Sequence, residues 1–430
     1  MVILALLTAA LLLSTFALLG LLNAVRGTPV HAVVSSGGAL PRVEDPPFRT
    51  AMELVSRTPM FAGHQVEVFW NGDQTYARLW ADLRGARASI TLQLYYCEPG
   101  RMADELRDIL VERARHGVRV LFLYDAFGTS FPRAYFDALR AGGVRVECFR
   151  PLALRGIRTL QHRAHIRVVC VDGRVGWTGG FGIADKWFGD GRSRDQWRDS
   201  NVRFTGPAVD QLRAAFTACW TESTHELLIL PSEVPARARD DEAAAAGGVV
   251  AGLLHASPSV GSTEAERFLT YAIASARTTL YVANSYFVPD RAIREMLAAA
   301  ARRGVDTRVL TVSAATDVKS TWYAGRAHYE ELLRAGVRVF EYAPVMMHAK
   351  TLAVDGHFAA LGSMNADNRS LSFNEETVLL VCDAGVAGTV ERQFLDDLEF
   401  STEIHLDACR RRGWAERAKE LACYSVWRLL

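Results

Sequence analysis

The chain has 430 residues, 49 basic against 48 acidic side chains, and a formal net charge of +1. Half of its residues are hydrophobic and 23% are charged, so it has neither the basic field that gathers nucleic acid nor the composition of a disordered or fibrous chain. The length suffices for two core-bearing domains.

Residues 2 to 24 carry no charge and are rich in Leu and Ala. As a helix this run would be about 35 Å long, enough for the hydrocarbon core of a bilayer. No basic side chain precedes it and no A-x-A site closes it, so residues 1–25 read as an uncleaved transmembrane helix rather than a signal peptide. Arg26, Arg42 and Arg49 follow, which places the remainder on the cytoplasmic side of a bacterial-type inner membrane. Residues 26–63, broken by Pro and Ser-Gly-Gly, read as a juxtamembrane connector.

Two similar stretches follow, 64–231 and 249–409, joined by a Pro-, Ala- and charge-rich linker at 232–248. Gly85-Ala86-Arg87-Ala88-Ser89-Ile90 leads into a strand, as does Ser275-Ala276-Arg277-Thr278-Thr279-Leu280. Helices then end in His116-Gly117-Val118 and Arg303-Gly304-Val305. The offset between halves is 190 at Ala86/Ala276, 193 at Val144/Val337 and 183 at His165/His348. The first half therefore holds about ten extra residues ahead of His165, where they would shape access to a site. Each half reads β-α-β-α-β-α-β-β-α, an α/β fold with a mixed sheet flanked by helices. Two such halves would pack with pseudo-two-fold symmetry around one active site.

The chemistry lies in the second half as His348-Ala349-Lys350-Thr351-Leu352-Ala353-Val354-Asp355, then Gly362-Ser363-Met364-Asn365. A histidine can attack phosphorus or donate a proton. A lysine two residues on projects from the same face of a strand and offers a point charge to phosphate oxygens. The first half repeats this as His165-Ile166-Arg167-Val168-Val169-Cys170-Val171-Asp172, then Gly179-Gly180-Phe181-Gly182. Arg167 stands in place of Lys, and two glycines in place of Ser and Asn. One histidine from each half, on opposite sides of a phosphorus, suits in-line displacement. His162 reads as a loop histidine beside the site.

Seven cysteines are scattered without metal-ligand spacing and read as free thiols of a reducing compartment. The tail, 410–430, is basic with aromatics. It suits equally an anionic membrane surface and a helix packed on the core.

The paired motifs resemble those of the phospholipase D superfamily, most closely the bacterial cardiolipin synthases. Asn71-Gly72-Asp73, Trp197-Arg198-Asp199, Tyr286-Phe287-Val288-Pro289-Asp290, Asp367-Asn368-Arg369-Ser370, Asn374 and Glu376 extend the resemblance over roughly 66–409. It implies a two-step phosphatidyl transfer without metal or cofactor, through a phosphohistidine, with phosphatidylglycerol as lipid substrate. By resemblance His165 attacks and His348 is the acid and base, although the altered first half leaves the opposite order open. Arg167, Lys350, Ser363 and Asn365 would hold phosphate oxygens. Glu376 would orient the histidine of its own half and Asp199 that of the first half, while Asp172 and Asp355 brace loops. Hydrolysis of phospholipids, nuclease action and a non-catalytic lipid-binding role are the alternatives.

Overall fold

The computed structural model describes residues 2–24, 29–151, 162–229, 248–259 and 261–425. The linker and most of the insertion ahead of His165 fall outside them. The first half supplies β1 (Phe61–Trp70), β2 (Ser89–Leu94), β3 (Arg119–Asp125), β4 (Arg145–Phe149), β5 (Val168–Val171), β6 (Val175–Gly179), β7 (Trp197–Arg198) and β8 (Ser200–Thr205). The second supplies β9 (Val249–Ala256), β10 (Thr279–Asn284), β11 (Asp306–Val312), β12 (Arg338–Tyr342), β13 (Met346–Met347), β14 (Lys350–Val354), β15 (Phe358–Gly362), β16 (Glu376–Cys382) and β17 (Ser401–Ile404).

Fifteen of these form one mixed sheet in the order β17-β12-β11-β10-β14-β15-β16-β9-β1-β8-β6-β5-β2-β3-β4. Read outward from its centre, the order is β1-β8-β6-β5-β2-β3-β4 on one side and β9-β16-β15-β14-β10-β11-β12 on the other, with β17 added at that edge, so the duplication is visible in the topology. The two halves join where β1 and β9 pair antiparallel, Phe61 against Ala251 and His64 against Val249. Within each half three strands run parallel, β2-β3-β4 and β10-β11-β12. Helices make those crossovers, as parallel strands require. Gly117 and Gly304 close equivalent helices with φ of 84° and 89°, the left-handed backbone that glycine adopts without strain.

Both motif strands, β5 and β14, are buried at every position, which explains why they read as continuous apolar runs rather than alternating ones. The half-sheets also face each other across a shared core that includes Val202 and Phe204 from one side and Leu361 and Leu379 from the other. Thr178 of β6 and Thr377 of β16 are hydrogen-bonded across it at 2.9 Å.

The structure departs from the expected pattern in three places, and at the tail it takes one of the two arrangements the sequence allowed. Each half has more strands than anticipated, because the motif strand is half of a hairpin whose partner is followed by a further return strand. The connector contains a helix, Pro46–Ser56, started by its prolines. Its Phe48 is fully buried, stacked on Tyr271 at 5.3 Å and edge-on to Phe358 at 5.3 Å. The tail packs on the core through the helix Trp414–Ser425: Glu420 is buried and paired with Arg412 and Arg326, and Tyr424 meets His328 and Arg294. At the other end a helix covers Val2–Ala24, yet among the described residues no helix is long and apolar enough to cross a membrane. The expected transmembrane span is thus present here only as a helix.

Phe48→Ala should destabilise the protein by about 3–5 kcal/mol, the usual cost of emptying a buried aromatic site. A denaturation midpoint like that of the unaltered chain would show that the Pro46–Ser56 helix is merely apposed.

Candidate active site

Two short backbone crossings build the site. Met346 and Met347 of β13 pair in parallel with Trp197 and Arg198 of β7, and the His348 N–H donates to the Arg198 carbonyl at 2.6 Å. In the equivalent place Ala164 bridges to Glu375, and the Glu375 N–H donates to the Arg163 carbonyl at 2.9 Å. A parallel pairing presents the residue after one strand to the residue after its partner. Asp199 therefore meets His348, and Glu376 meets His165.

His348 Nδ1 lies 2.9 Å from Asp199 Oδ2. His165 Nδ1 lies 3.0 and 3.2 Å from the two Glu376 oxygens. The expectation that each carboxylate serves the histidine of its own half is corrected: the carboxylates are exchanged, because the halves cross between each histidine and its own acidic residue. With Nδ1 engaged, the Nε2 of each ring is left for chemistry.

Both histidines line one cavity of about 550 Å³, with Arg167, Asn365, Asp367, Arg369 and Asn374. Tyr95, Tyr96, Phe127, Trp197 and Tyr286 give it aromatic walls. Arg167 Nη1 donates to the His165 carbonyl at 2.6 Å and Nε to the Phe181 carbonyl at 3.1 Å. Lys350 Nζ makes the equivalent bond to the His348 carbonyl at 2.5 Å, but it lies behind the cavity, against a small void of about 30 Å³. The larger fork of Arg167 thus reproduces the lysine's backbone contact and adds one. Ser363 donates its hydroxyl to Glu376 and accepts the Thr377 N–H at 3.0 Å, so here it braces a carboxylate instead of facing a ligand. Asp172 and Asp355 sit in turns at φ of 53° and 50°. Each accepts three consecutive backbone N–H groups, Arg87 to Ser89 and Arg277 to Thr279.

Burial and the neighbouring Lys350 ammonium push His348 down to about 3. Burial and Arg167 push His165 well below its ordinary range. Both rings are therefore neutral near pH 7. An oxyanion beside Arg167 and Lys350 would offset those charges and restore proton affinity. Burial would raise Asp199, but His348, Lys350 and the Trp187 N–H outweigh it and hold the carboxylate ionised. Glu376, more weakly compensated, is raised to about 7 by burial.

Tyr95 and Trp187 escaped the sequence reading, and Tyr286 entered it only as part of a strand end. Tyr95 stands edge-on to His165 at 4.9 Å, and Tyr286 to His348 at 6.3 Å. Tyr95 follows β2 directly, whereas Tyr286 stands one place further past β10 and matches Tyr96 at the offset of 190. Trp187 stands perpendicular to His348 at 5.3 Å and has no counterpart in the second half's motif. His162 bonds the Phe373 carbonyl at 3.0 Å. Away from the histidines, Cys219, His255 and Glu375 offer metal-ligating atoms within 4.8 Å of one another. His255 and Ser257 already satisfy Glu375 at 2.9 and 2.6 Å, and Arg150 lies 4.0 Å from it, a set that reads as an ion-pair network.

Burial lowers Lys350 to about 7. It is charged below that pH and neutral above, while Glu376 gains its negative charge over the same interval. Affinity for a soluble phosphodiester, whose own charge is constant there, should fall as pH rises through about 7. Calorimetric titration at stepped pH tests this, and a flat profile would contradict it.

A family model described as "Cardiolipin synthase, PLD-like domain" matches residues 269–398. Cardiolipin synthase A of Pseudomonas syringae pv. syringae (strain B728a) is 34% identical over 361 residues, 82% of this chain and 72% of the relative. Cardiolipin synthase of Geobacillus kaustophilus (strain HTA426) is 33% identical over 378 residues, 87% of this chain and 74% of the relative. Among solved structures, phosphatidylserine synthase of Haemophilus influenzae Rd KW20 superposes with a TM-score of 0.66 at 14% identity, covering 89% of this chain and 99% of that one. Polyphosphate kinase from Porphyromonas gingivalis gives 0.55 at 12% identity, covering 89% and 52%. These two likenesses concern the fold.

Proposed function

The chain belongs to the cardiolipin synthase family of phospholipase D-like proteins, and from that membership we propose that it moves a phosphatidyl group from one phosphatidylglycerol to another. It is in this reading a phosphatidyltransferase whose site lies between two duplicated halves, 64–231 and 249–409. The observation that carries the reading is the pair of carboxylate-braced histidines on one cavity, one from each half.

His165 Nε2 attacks phosphorus, a P–N bond forms, and the P–O bond to the headgroup glycerol breaks. His348 Nε2, protonated once the phosphodiester offsets Lys350 and Arg167, passes its proton to the leaving alkoxide. The hydroxyl of a second phosphatidylglycerol then gives its proton to His348 and attacks the phosphohistidine. The P–N bond breaks and cardiolipin leaves. Asp199, firmly ionised, suits His348 to carry the proton, since a fixed anion favours the imidazolium. Arg167 and Asn365 hold phosphate oxygens at the wall, and Lys350 contributes positive potential from behind. The aromatic walls favour an alcohol acceptor over water by excluding solvent from the intermediate.

We place the substrate at a membrane. The helix Val2–Ala24 has 23 residues without a charge, and its described side chains from Leu6 to Phe16 are exposed to their surroundings. Buried in lipid, that surface would be stabilised. The reading seats the helix in a bacterial inner membrane, with the catalytic part on its cytoplasmic side.

Purified protein given labelled phosphatidylglycerol should yield cardiolipin and glycerol, and the His348→Ala variant should be slower by about 10³-fold or more, as for loss of a group acting in the chemical step. Phosphatidic acid as the main product would replace transfer with hydrolysis. Chelators should leave the rate unchanged; loss of rate restored by a divalent cation would contradict the two-histidine mechanism. Deletion of residues 1–28 should shift the protein from the membrane pellet to the supernatant, and unaltered sedimentation with membranes would remove the anchoring role.

A further inference from the structure

The two halves hold their orienting carboxylates by different means. Glu376 is held by Ser363, at the second position of the Gly-Ser-Met-Asn turn. The equivalent position in the first half is Gly180, and a Cβ there would lie 2.1 Å from Asp199 Oδ1. No side chain at that position can brace Asp199. The residue that does so comes from elsewhere: Trp187 Nε1 donates to Asp199 Oδ2 at 2.7 Å, the same oxygen that faces His348 Nδ1 at 2.9 Å. The second oxygen accepts the Ser200 N–H at 2.7 Å.

The second glycine of the turn makes room for this. A Cβ on Gly182 would stand 2.9 and 3.0 Å from the distal carbons of the Trp187 ring and 2.9 Å from the Tyr96 carbonyl. The second half has Asn365 in the corresponding place. The indole therefore occupies the room that a side chain at 182 would need. It is itself fixed, packed on Trp197 at 4.3 Å and Tyr96 at 5.1 Å. The 3-10 turn that carries it, Asp185–Trp187, is pinned because Asp185 accepts the Met102 N–H at 2.9 Å at the start of the helix Arg101–Arg115.

We propose that Trp187 is a positioning residue for His348: its N–H fixes the Asp199 carboxylate that orients the imidazole, and Gly180 and Gly182 are the small residues that let it do so. This rests on the functional reading above and assigns the first half's departures from the second a constructive role. An N–H dipole aimed at Asp199 also lowers the proton affinity of the His348–Asp199 pair. Its loss should both slow the proton-transfer steps and raise the pH at which His348 titrates.

Two replacements separate the hydrogen bond from packing. Trp187→Phe removes the N–H and part of the ring, whereas 3-benzothienylalanine at 187 keeps the shape and loses only the N–H. Both should lower kcat about 10- to 100-fold, the scale of one hydrogen bond to a charged group, with KM little changed. Both should move the His348 limb of the pH profile upward, and neither should lower the rate further in an Asp199→Asn background. A benzothienylalanine enzyme with unaltered kcat and pH profile overturns the proposal. So does a slower Phe variant whose pH limb has not moved, since that is loss of packing alone. If the unaltered protein transfers no phosphatidyl group, the functional reading fails first. The positioning role is then read from ¹⁵N-labelled His348, whose titration should still shift upward in both variants.

Discussion

Everything at the centre of this molecule depends on one constraint: each motif imidazole is held by a carboxylate from the opposite half. The pairs are His165 with Glu376 and His348 with Asp199. Neither histidine is oriented within its own domain, so the site exists only when the halves are docked. The parallel crossings of β7 with β13 and of Ala164 with Glu375 deliver the geometry through backbone hydrogen bonds, which allow little play. The shared core between the half-sheets and the β1–β9 pairing then maintain the register.

Around that frame the electrostatics are arranged for an anionic ligand. Arg167 and Lys350 are fully buried cations, each tethered to the carbonyl of its motif histidine. With burial, they lower the proton affinity of both imidazoles. In the proposed reading an anionic ligand would offset these charges, so that protonation state would follow occupancy. The exchange of lysine for arginine in the first half is accommodated because the guanidinium finds a second acceptor in Phe181.

Much of this was readable in the chain. The two motifs share spacing because both are buried strands that turn back at an Asp, and each Asp gathers three backbone N–H groups in its turn. Glycines at equivalent helix ends betrayed the repeat because φ near 85° is nearly theirs alone. What stayed hidden was long-range. No local pattern says which carboxylate meets which histidine, because the answer depends on two-residue strands too short for periodicity. The helix Pro46–Ser56 was lost among breakers, although Phe48 and Met52 mark one face of it. Trp187 could be found only by asking what fills the space above Gly182.

The exchanged braces also bear on how such a chain changes over generations. The contacting pairs are separated by 211 and 149 positions, yet each combines a carboxylate length with the size of a residue in its own half's glycine turn. Glutamate goes with serine, and aspartate with glycine and a borrowed indole. A duplicated gene normally frees one copy to drift. Here drift in either copy is felt by the motif histidine of the other, so the halves inherit each other's errors and can diversify only in step.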